Sequence, residues 1–415
     1  MFDFIQNFKY YINYKLKFNF IFNYYLKQIH NNQQRNDIEK VQLKQIQKLL
    51  LRAIKSEFYK ELYSKHDIDI SKIKTLEDFK KLPTITKQMI KGNEETLLTR
   101  SKYFLFKGYT SGSTGSPLTV YYDYFSVLKE NAYVWSYREK CGLNFGDPII
   151  SLRGNLKKKE IFSFDKYTNT LYLSSYNLNK ENIANYYKLI LDFKPKAILA
   201  YPSSIYLLTI LLKEKSLLLN IDKVFTSSET LYSNQKEVIE NYLSAKIFDW
   251  FGNAERTIAL QQQNDGKYKE PILYSYNEYK EENTITTSLN NFSYPLIRYE
   301  VDDIIEVNKR KEITTIHGRK DDFISLDDGT NIGRLDHLFK GINGIDYAQI
   351  IQDKIGVIDI NIVENGFSER DKKLLIKKIN EYLGWNISYN INIIEKNEIK
   401  YMKSGKFKMV INNVQ

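Results

Sequence analysis

The chain has 415 residues, of which 42% are hydrophobic and only 7 are prolines, a composition typical of a folded protein with two or more domains. Its single cysteine, Cys141, excludes a disulfide framework and a cysteine-based metal site and suits a reducing cytoplasm, while 4 scattered histidines argue against a histidine metal cluster. Lysine and arginine (61) outnumber aspartate and glutamate (50), and the formal net charge of +11 would help to attract a polyanion, whether a nucleotide, a CoA-like carrier or an anionic membrane.

Residues 1–29 are crowded with Phe, Tyr, Ile and Leu and are interrupted by four lysines. Their apolar runs are shorter than the ~18 residues that cross a bilayer, and the pattern of a secretory signal is missing. Two interpretations stay open: a basic aromatic helix that lies on a membrane surface, or a helix that packs on the main domain. We predict a basic aromatic helical segment over residues 1–36 and a cytoplasmic protein, with the inner face of the membrane as the alternative location.

Residues 37–65 are predicted to form a helix, because apolar side chains from Leu43 to Ala53 recur at the spacing of one helix face. A short acidic helical piece at 75–79 and a proline-marked turn at 82–87, Leu-Pro-Thr-Ile-Thr-Lys, follow it. By themselves these are ordinary structural elements.

The stretch at 108–117, Gly-Tyr-Thr-Ser-Gly-Ser-Thr-Gly-Ser-Pro, holds three glycines, five serines or threonines and no acidic residue. Glycine lets a backbone come close to a ligand, and hydroxyl and N–H groups supply several donors to one anion. Apolar β-like segments flank the stretch at 103–106 and 118–122, which favours a phosphate-binding loop over the alternative of a flexible Ser/Gly linker. Its spacing fits neither a Walker A loop nor a protein-kinase glycine loop.

Short apolar strands alternate with helices between residues 127 and 272, a pattern that predicts an α/β core. The elements are strands at 149–152, 197–200, 223–227 and 245–251, and helices that include 182–193 and 203–215. Ser203 is predicted to be a helix N-cap, which is a structural role. In open α/β sheets ligands lie beyond the carboxyl ends of strands, so Ser228 and Glu229 are candidates for ligand binding.

Further charged patterns follow the core. They are Asp-Trp-Phe-Gly-Asn-Ala-Glu at 249–255, Arg-Tyr-Glu-Val-Asp-Asp at 298–303, Gly-Arg-Lys-Asp-Asp at 318–322 and Ser-Gly-Lys at 404–406. Taken alone, each has an ordinary explanation as a strand edge, an acidic turn or a solvated lysine-rich tail. Their order behind the loop at 108–117 is what favours a functional interpretation.

The last part of the chain has a fold signal of its own. Apolar and polar residues alternate over 355–363, which predicts a half-buried strand, and a further strand is predicted at 388–394. Between them, Ser368 and Asp371 have the spacing of a capping box that begins an amphipathic helix. These elements predict a small α+β lid domain over residues 322–415.

Together these patterns resemble the motifs of the adenylate-forming, acyl-CoA synthetase-like superfamily. The loop is similar to its Thr-Ser-Gly-Ser/Thr-Thr-Gly-x-Pro motif, and residues 249–255 are similar to its (Asn/Gln/Asp)-x-Tyr-Gly-x-x-Glu motif, with Phe251 in place of tyrosine. Residues 298–303 resemble its Arg-Tyr-x-x-Gly-Asp element, with Asp302 in place of glycine. Residues 318–322 resemble its hinge motif Gly-Arg-x-Asp-Asp, and 404–406 resemble its Ser-Gly-Lys element.

The N-terminal part resembles one branch of this superfamily. Phe58 and Tyr59, followed by Leu-Pro-x-x-Thr-Lys at 82–87, are similar to the N-terminal signature of the phenylacetate–CoA ligase branch. That branch includes the CapK-like proteins of capsular polysaccharide biosynthesis. The resemblance therefore extends from residue 58 to residue 406, most of the chain.

The resemblance implies an α/β fold with a large N-terminal adenylation domain of mixed sheets and helices, residues 37–321, and a small, mobile α+β C-terminal lid domain, residues 322–415. It also implies an ATP-dependent ligase. A small carboxylic acid attacks the α-phosphate of ATP to give an acyl-adenylate and pyrophosphate, and CoA or another thiol or amine acceptor then takes the acyl group. The implied cofactors are ATP, Mg²⁺ and, as one candidate acceptor, CoA; a role in capsule or surface polysaccharide biosynthesis follows from the branch alone.

The same resemblance implies a role for each matched side chain. The phosphates would be bound by Thr110, Ser111, Gly112, Ser113, Thr114 and Gly115, and the adenine side by Ser228, Glu229, Asp249, Phe251 and Gly252. Glu255 would hold Mg²⁺, Asp303 the ribose hydroxyls, and Arg319 the ribose or a phosphate. Asp321 would be the hinge, and Lys406 would meet the acyl carboxylate and the α-phosphate. Thr110, Glu255 and Lys406 are the predicted catalytic residues.

Two other functions stay open. A degenerate adenylation fold could act as a nucleotide-binding or membrane-associated scaffold, although Glu255, Asp303, Arg319 and Lys406 are all present, which favours an enzyme. The basic balance could also indicate a nucleic-acid-binding protein. A clustered basic helix, zinc knuckles and an RNA-binding aromatic pattern are missing from the sequence, so we expect no nucleic-acid partner.

Overall fold

The computed structural model describes residues 2–414 apart from 111–117, 155, 157–159, 230, 232, 281–282, 302, 309–311, 320–322, 327–330, 333–334, 340–341, 384–386 and 402–406. The described residues form two compact units, one made of residues up to 301 and of 307–314, the other of 303–306 and of the chain from 315 onward. The mixture of sheets and helices confirms the predicted α/β fold class.

The helices are α1 (Phe2–Lys17), α2 (Phe20–Asn32), α3 (Ile38–Ala53), α4 (Glu57–Lys65), α5 (Leu76–Phe79), α6 (Lys87–Ile90), α7 (Tyr124–Lys140), α8 (Ile183–Phe193), α9 (Pro202–Glu214), α10 (Ser233–Leu243) and α11 (Glu369–Leu383). The strands up to the end of the first sheet are β1 (Phe106–Tyr109), β2 (Thr119–Tyr122), β3 (Ile149–Arg153), β4 (Phe162–Asp165), β5 (Thr170–Ser174), β6 (Ala197–Ala200), β7 (Lys223–Ser227), β8 (Lys246–Gly252), β9 (Ala259–Gln262) and β10 (Tyr268–Lys269). The remaining strands are β11 (Ser275–Tyr279), β12 (Thr284–Ser288), β13 (Tyr299–Val301), β14 (Asp303–Val307), β15 (Ile313–Arg319), β16 (Ile324–Ser325), β17 (Asn331–Ile332), β18 (Ile345–Lys354), β19 (Val357–Glu364), β20 (Ser388–Ile393) and β21 (Val410–Asn412).

The main sheet of the first unit has the strand order β10-β9-β8-β7-β6-β3-β5-β4. Its centre is parallel, with β5, β3, β6, β7 and β8 side by side, and antiparallel strands flank this centre on both sides. All of β6 is buried, which explains why the sequence there is a continuous apolar run. The strands predicted at 197–200 and 223–227 have the observed ends, and the other two predicted core strands differ by one residue.

Two predicted helix boundaries differ from the structure. The helix predicted over 37–65 is two helices, because the hydroxyl of Ser56 accepts from the N–H of Tyr59 and begins α4 as its N-cap. The prediction that Ser203 is an N-cap is wrong: α9 begins at Pro202, and Tyr201 is the N-cap residue. Proline favours the first helical position because its fixed φ suits the helix and its missing N–H is not needed there.

The N-terminal helices pack on the first unit. Phe22 and Ile29 of α2 are buried in the same cluster as residues of α7, and the Phe18 ring lies 4.5 Å from that of Phe145. Asn19 separates the two helices, since its side chain accepts from the N–H groups of Ile21 and Phe22 and caps α2. One face of this segment is therefore a packed helical face. Among the described helices, none combines the length and the apolar character that crossing a bilayer requires.

A second, smaller sheet of the first unit has the order β11-β12-β13. Its core contains buried side chains of α3 and α4, including Ile46 and Tyr59. The guanidinium of Arg298 donates to both carboxylate oxygens of Glu278 at 2.9 Å and to the carbonyl of Leu82. The proline-marked turn is thus attached to this sheet.

The second unit contains a sheet of order β20-β19-β18-β21. Helix α11 packs on it through Leu375, Ile379 and Leu383, which are buried with isoleucines of β18 and β19. The predicted capping box is present, because the Ser368 hydroxyl accepts from the N–H of Asp371 and the Asp371 carboxylate accepts from the N–H of Ser368. The two predicted strands of this segment are confirmed within two residues at each end, and the predicted amphipathic helix is present between them.

Candidate functional site

The loop at 111–117 is closed at its base by a β-hairpin. β1 and β2 pair antiparallel, with Gly108 opposite Val120 and Tyr109 opposite Thr119. One residue further, the N–H of Thr110 donates to the Leu118 carbonyl at 3.0 Å, and the N–H of Leu118 donates to the Thr110 hydroxyl at 3.0 Å. The predicted β-like flank at 118–122 is confirmed by β2. The one predicted at 103–106 is wrong, because residues 102–104 form a short 3-10 helix and β1 begins only at Phe106. The predicted phosphate ligands Ser111, Gly112, Ser113, Thr114 and Gly115 lie outside the described residues.

The ring of Tyr122 connects this hairpin to the segment after β8. Its hydroxyl donates to the carbonyl of Ala254, and the guanidinium of Arg256 lies 4.1 Å from the ring centroid. The ring also lies against Gly108, where an added Cβ would stand 2.5 Å from a ring carbon. Glycine at position 108 leaves room for this ring, and the contacts of Tyr122 with Ala254 and Arg256 attach the hairpin to the segment after β8.

Asp249 is buried within β8. Its two carboxylate oxygens accept from the Thr226 hydroxyl at 2.5 Å and the Tyr268 hydroxyl at 2.7 Å. Burial raises its pKa to about 6, although both hydrogen bonds act in the opposite direction. The side chain therefore connects β8 to Thr226 of β7 and Tyr268 of β10, and its acceptance of a hydrogen bond from an adenine amine stays a prediction. Phe251 is half-buried and Gly252 is exposed at the end of the same strand.

The end of β7 carries Ser228 and Glu229. Ser228 is exposed and has a φ of 73°, in the left-handed region that few serines adopt. Such backbone strain is common at ligand-binding positions. The Glu229 carboxylate accepts from the N–H of Ser203 at 3.0 Å, at the start of α9. It therefore satisfies a free N–H at the positive end of that helix, and its role in nucleotide binding stays a prediction.

Glu255 is half-buried, and its carboxylate accepts from the Tyr299 hydroxyl at 3.2 Å. Within the described part of the chain, no three His, Cys, Asp or Glu side chains form a group that could hold a metal ion. A single carboxylate is compatible with Mg²⁺, because this ion usually binds one or two carboxylates together with phosphate oxygens and water. The residues present thus fit a metal that arrives with a nucleotide.

Asp303 and Arg319 belong to the second unit. Asp303 begins β14 and is half-buried. Arg319 is the last residue of β15, and its side chain is not among the described groups. Asp321 and Lys406 lie outside the described residues.

A cavity of about 420 Å³ lies in the first unit beside these elements. The residues that border it include Tyr122, Ser228 and Gly252, and also Arg138, Arg153 and Arg256. Sequence reasoning missed these three arginines. Arg153 is the last residue of β3, so the rule that selected Ser228, a position at the carboxyl end of a parallel strand, could have found it. Arg138 lies inside α7 and carries no comparable signal.

Known proteins resemble both the sequence and the fold. Residues 325–413 match the family described as the CapK C-terminal domain. Protein CapK of Staphylococcus aureus is 26% identical over 387 residues, which are 87% of this chain and 86% of that protein.

Among solved structures, one that is similar is a 2-hydroxyisobutyryl-CoA ligase in the postadenylation state, in complex with R3-HIB-AMP. The TM-score is 0.68 and the sequence identity is 17%, and the match covers 91% of this chain and 90% of that chain. An open conformation of such a ligase in complex with 2-HIB-AMP and CoA has a TM-score of 0.55 and 16% identity over 90% of this chain and 91% of that chain. At these identities the likeness concerns the fold. Residues 325–413 therefore resemble the CapK C-terminal domain, and the chain has the fold of the adenylate-forming acyl-CoA ligases.

Proposed function

We propose that the protein is an ATP-dependent ligase that converts a carboxylic acid into an acyl-adenylate and transfers the acyl group to CoA or to another thiol or amine. One observation carries the proposal: three elements with a predicted part in ATP binding border a single cavity. These are the loop hairpin through Tyr122, the end of β7 through Ser228 and the end of β8 through Gly252. Such convergence at the carboxyl ends of parallel strands is where α/β folds bind ligands.

The reaction has two steps. A carboxylate oxygen of the acid attacks the α-phosphorus of ATP, the bond from that phosphorus to the bridging oxygen breaks, and pyrophosphate leaves. The sulfur or nitrogen of the acceptor then attacks the acyl carbon and loses its proton, and AMP leaves with the electron pair of the broken C–O bond. Neither step needs a covalent protein nucleophile, so the side chains act by alignment and charge stabilisation.

The predicted residues have distinct tasks in this scheme. Thr110 holds the base of the phosphate loop, and its hydroxyl, which accepts from Leu118, retains its own proton for a phosphate oxygen. Glu255 would hold Mg²⁺, which supplies charge neutralisation at the phosphates. Lys406 would bring a positive charge to the acyl carboxylate and the α-phosphate, and Asp321 would be the hinge of a lid domain over 322–415.

The known relatives support the reaction class and say less about the substrate. The solved CoA ligases of the same fold hold acyl-AMP adducts, and one also holds CoA. The similarity to CapK favours a role in capsule or surface polysaccharide biosynthesis, and residues 58–59 and 82–87 favour the phenylacetate–CoA ligase-like branch. The single cysteine and the use of ATP favour a cytoplasmic location.

ATP–pyrophosphate exchange with the full-length chain and a library of carboxylic acids tests the proposal. We expect exchange that depends on an acid and on Mg²⁺, and that is lost in Lys406→Ala. ATP binding without exchange for any acid would instead favour a nucleotide-binding scaffold.

A contact with a membrane is a second candidate, and one observation favours it. On the N-terminal helices Phe8, Ile12, Leu16, Phe20 and Tyr24 follow one another at intervals of four residues, and all are exposed, Phe20 by 80%. The four lysines of this segment are exposed as well. An exposed apolar row with lysines near it in the sequence suits the surface of an anionic bilayer, while other residues of the same segment, Phe22 and Ile29, are buried in the core.

A further inference from the structure

The cavity of the first unit has an unusual charge distribution. Arg138 reaches it from α7, Arg153 from the end of β3, and Arg256 from the segment after β8. One carboxylate, that of Glu130, also borders it. Glu130 accepts from the Tyr274 hydroxyl at 2.6 Å and from the side-chain amide of Asn290 at 3.1 Å. Burial raises the pKa of this carboxyl, and the positive charge of Arg256 acts in the opposite direction, so Glu130 partly compensates Arg256.

Within the described part of the chain, none of the three arginines forms a salt bridge with a carboxylate. Arg153 donates only a long hydrogen bond, 3.3 Å, to the Ser227 hydroxyl, and its guanidinium lies 5.3 Å from the Tyr201 ring centroid. Its Nε is buried without a hydrogen-bond partner, and so is one terminal nitrogen of Arg256. These are unused donors beside an open volume.

Arg298 shows what a structural buried arginine looks like in this protein. Its Nε and one terminal nitrogen donate to Glu278 in a bidentate pair, and the other terminal nitrogen donates to the backbone carbonyl of Leu82. Arg138 and Arg153 lack such a pair. Burial and the charge of Arg153 lower the pKa of Arg138 to about 9, which indicates how poorly the positive charge is compensated. Uncompensated buried cations destabilise a fold unless a ligand supplies the opposite charge.

We propose that the acid activated by this protein carries a second anionic group, which Arg153 binds in the cavity while Arg138 and Arg256 add positive charge around it. The inference rests on the proposed ligase function, since it assigns the cavity to the acid. The ligand class is a small dicarboxylate or an acid with a comparable second anion, because the planar fork of arginine matches a carboxylate. A volume of about 420 Å³ accommodates such a molecule beside the nucleotide elements.

The binding experiment compares pairs of acids that differ by one charge. Malonate, succinate, glutarate and adipate are each titrated calorimetrically against their half-amides, with the full chain saturated with Mg²⁺ and a nonhydrolysable α,β-methylene ATP. We expect at least one dicarboxylate to bind about tenfold or more tightly than its half-amide, since a hydrogen bond to a charged group has that effect. Equal binding of every pair would overturn the inference.

Arg153→Gln assigns the preference to the residue. This variant should bind the dicarboxylate about as weakly as the half-amide, and Arg153→Lys should keep part of the preference. Arg35→Gln is the matched control, because Arg35 forms a surface pair with Asp37. Circular dichroism verifies that each variant is folded. A preference that persists in a folded Arg153→Gln variant would overturn the assignment.

Pyrophosphate exchange on the same proteins separates this inference from the ligase function. Arg153-dependent binding of a dicarboxylate without exchange for any acid would support the anion site and contradict the ligase. Exchange only with acids that carry no charged group besides the reacting carboxylate would support the ligase and overturn the inference of a second anionic group.

Discussion

The N–H of Leu118 donates to the hydroxyl of Thr110 at 3.0 Å across the base of the loop at 111–117. Leu118 is fully buried, so its N–H has no access to water if this acceptor is removed.

Thr110→Val keeps the side-chain shape and deletes the acceptor. We expect a loss of about 1–3 kcal/mol in the free energy of unfolding and a raised KM for ATP. Urea unfolding and exchange kinetics measure both effects, and Thr110→Ser, which keeps the hydroxyl, should resemble the wild type. If both constants are unchanged in Thr110→Val, the hydroxyl has no part in the loop.

Glu255→Gln removes the charge proposed to hold Mg²⁺ while preserving the shape and the acceptor used by Tyr299. We expect kcat/KM for ATP to fall by about tenfold or more and half-maximal activity to require more Mg²⁺. Mg²⁺ titrations of the exchange reaction check this. Glu237→Gln, an exposed position on α10, is the control. An unaltered Mg²⁺ requirement in Glu255→Gln would return Glu255 to a structural role.

Asp249 makes a pH-dependent contribution to stability. Its pKa is raised by burial from 3.8 to about 6, so the folded protein holds this proton to a higher pH than the unfolded chain does. The contribution is therefore fully present below about pH 4 and is lost as the pH rises through 6, by at most about 3 kcal/mol. We expect Asp249→Asn, which stays neutral, to gain stability relative to the wild type between pH 4 and pH 8. Denaturant unfolding across this range measures the difference, and a constant difference would contradict the burial argument.

Asp321 and Lys406 should affect opposite half-reactions. Proline at 321 fixes φ near −65° and removes an N–H, which blocks the rotation expected of a hinge. Asp321→Pro should therefore form acyl-AMP but fail to transfer the acyl group. Lys406→Ala should lose adenylation and still discharge synthetic acyl-AMP to the acceptor. Separate assays of the two half-reactions provide the measurement, and normal rates of both in Asp321→Pro would mean that the hinge is elsewhere.

The membrane contact is tested with charge substitutions in place of a deletion, because Phe22 and Ile29 belong to the core and truncation would disturb it. We expect the double variant Ile12→Glu, Phe20→Glu to sediment less with vesicles containing phosphatidylglycerol than the wild type does. Leu218→Glu, at an apolar position exposed by 75% outside this row, is the matched control. Vesicles of phosphatidylcholine alone test the contribution of the lysines. Equal sedimentation of all three proteins would leave the row as an ordinary surface.

The sequence predicted well where one local rule determined the outcome. β6 is buried on both faces, so its apolar run had one explanation, and the capping box of α11 depends on two residues three positions apart. The prediction failed where the structure at a residue depends on another residue. Ser203 has the chemistry of a cap, but Pro202 sets the helix start and a distant carboxylate, Glu229, binds the N–H of Ser203.

The candidate site shows the same division. The loop and the strand-end serine are local patterns, and both could be found in the sequence. The charged cavity could not, because Arg138, Arg153 and Arg256 come from three separate elements that only the folded sheet brings together. Asp249 is intermediate: its position in a motif is visible in the sequence, but the two hydroxyls that bind its carboxylate lie on other strands.

The attachment of the Leu82 turn to Arg298 has a consequence for how the chain is made. The two residues are 216 positions apart, and Ile85 also pairs through its backbone with Arg298 and Glu300. During synthesis, a ribosome adding about 5–20 residues per second needs roughly ten to forty seconds to cover that separation. Throughout this interval α3 and α4 have been made while the sheet that buries Ile46 and Tyr59 has not. Until synthesis passes residue 301, the apolar faces of α3 and α4 therefore lack the complete sheet that buries them in the folded protein.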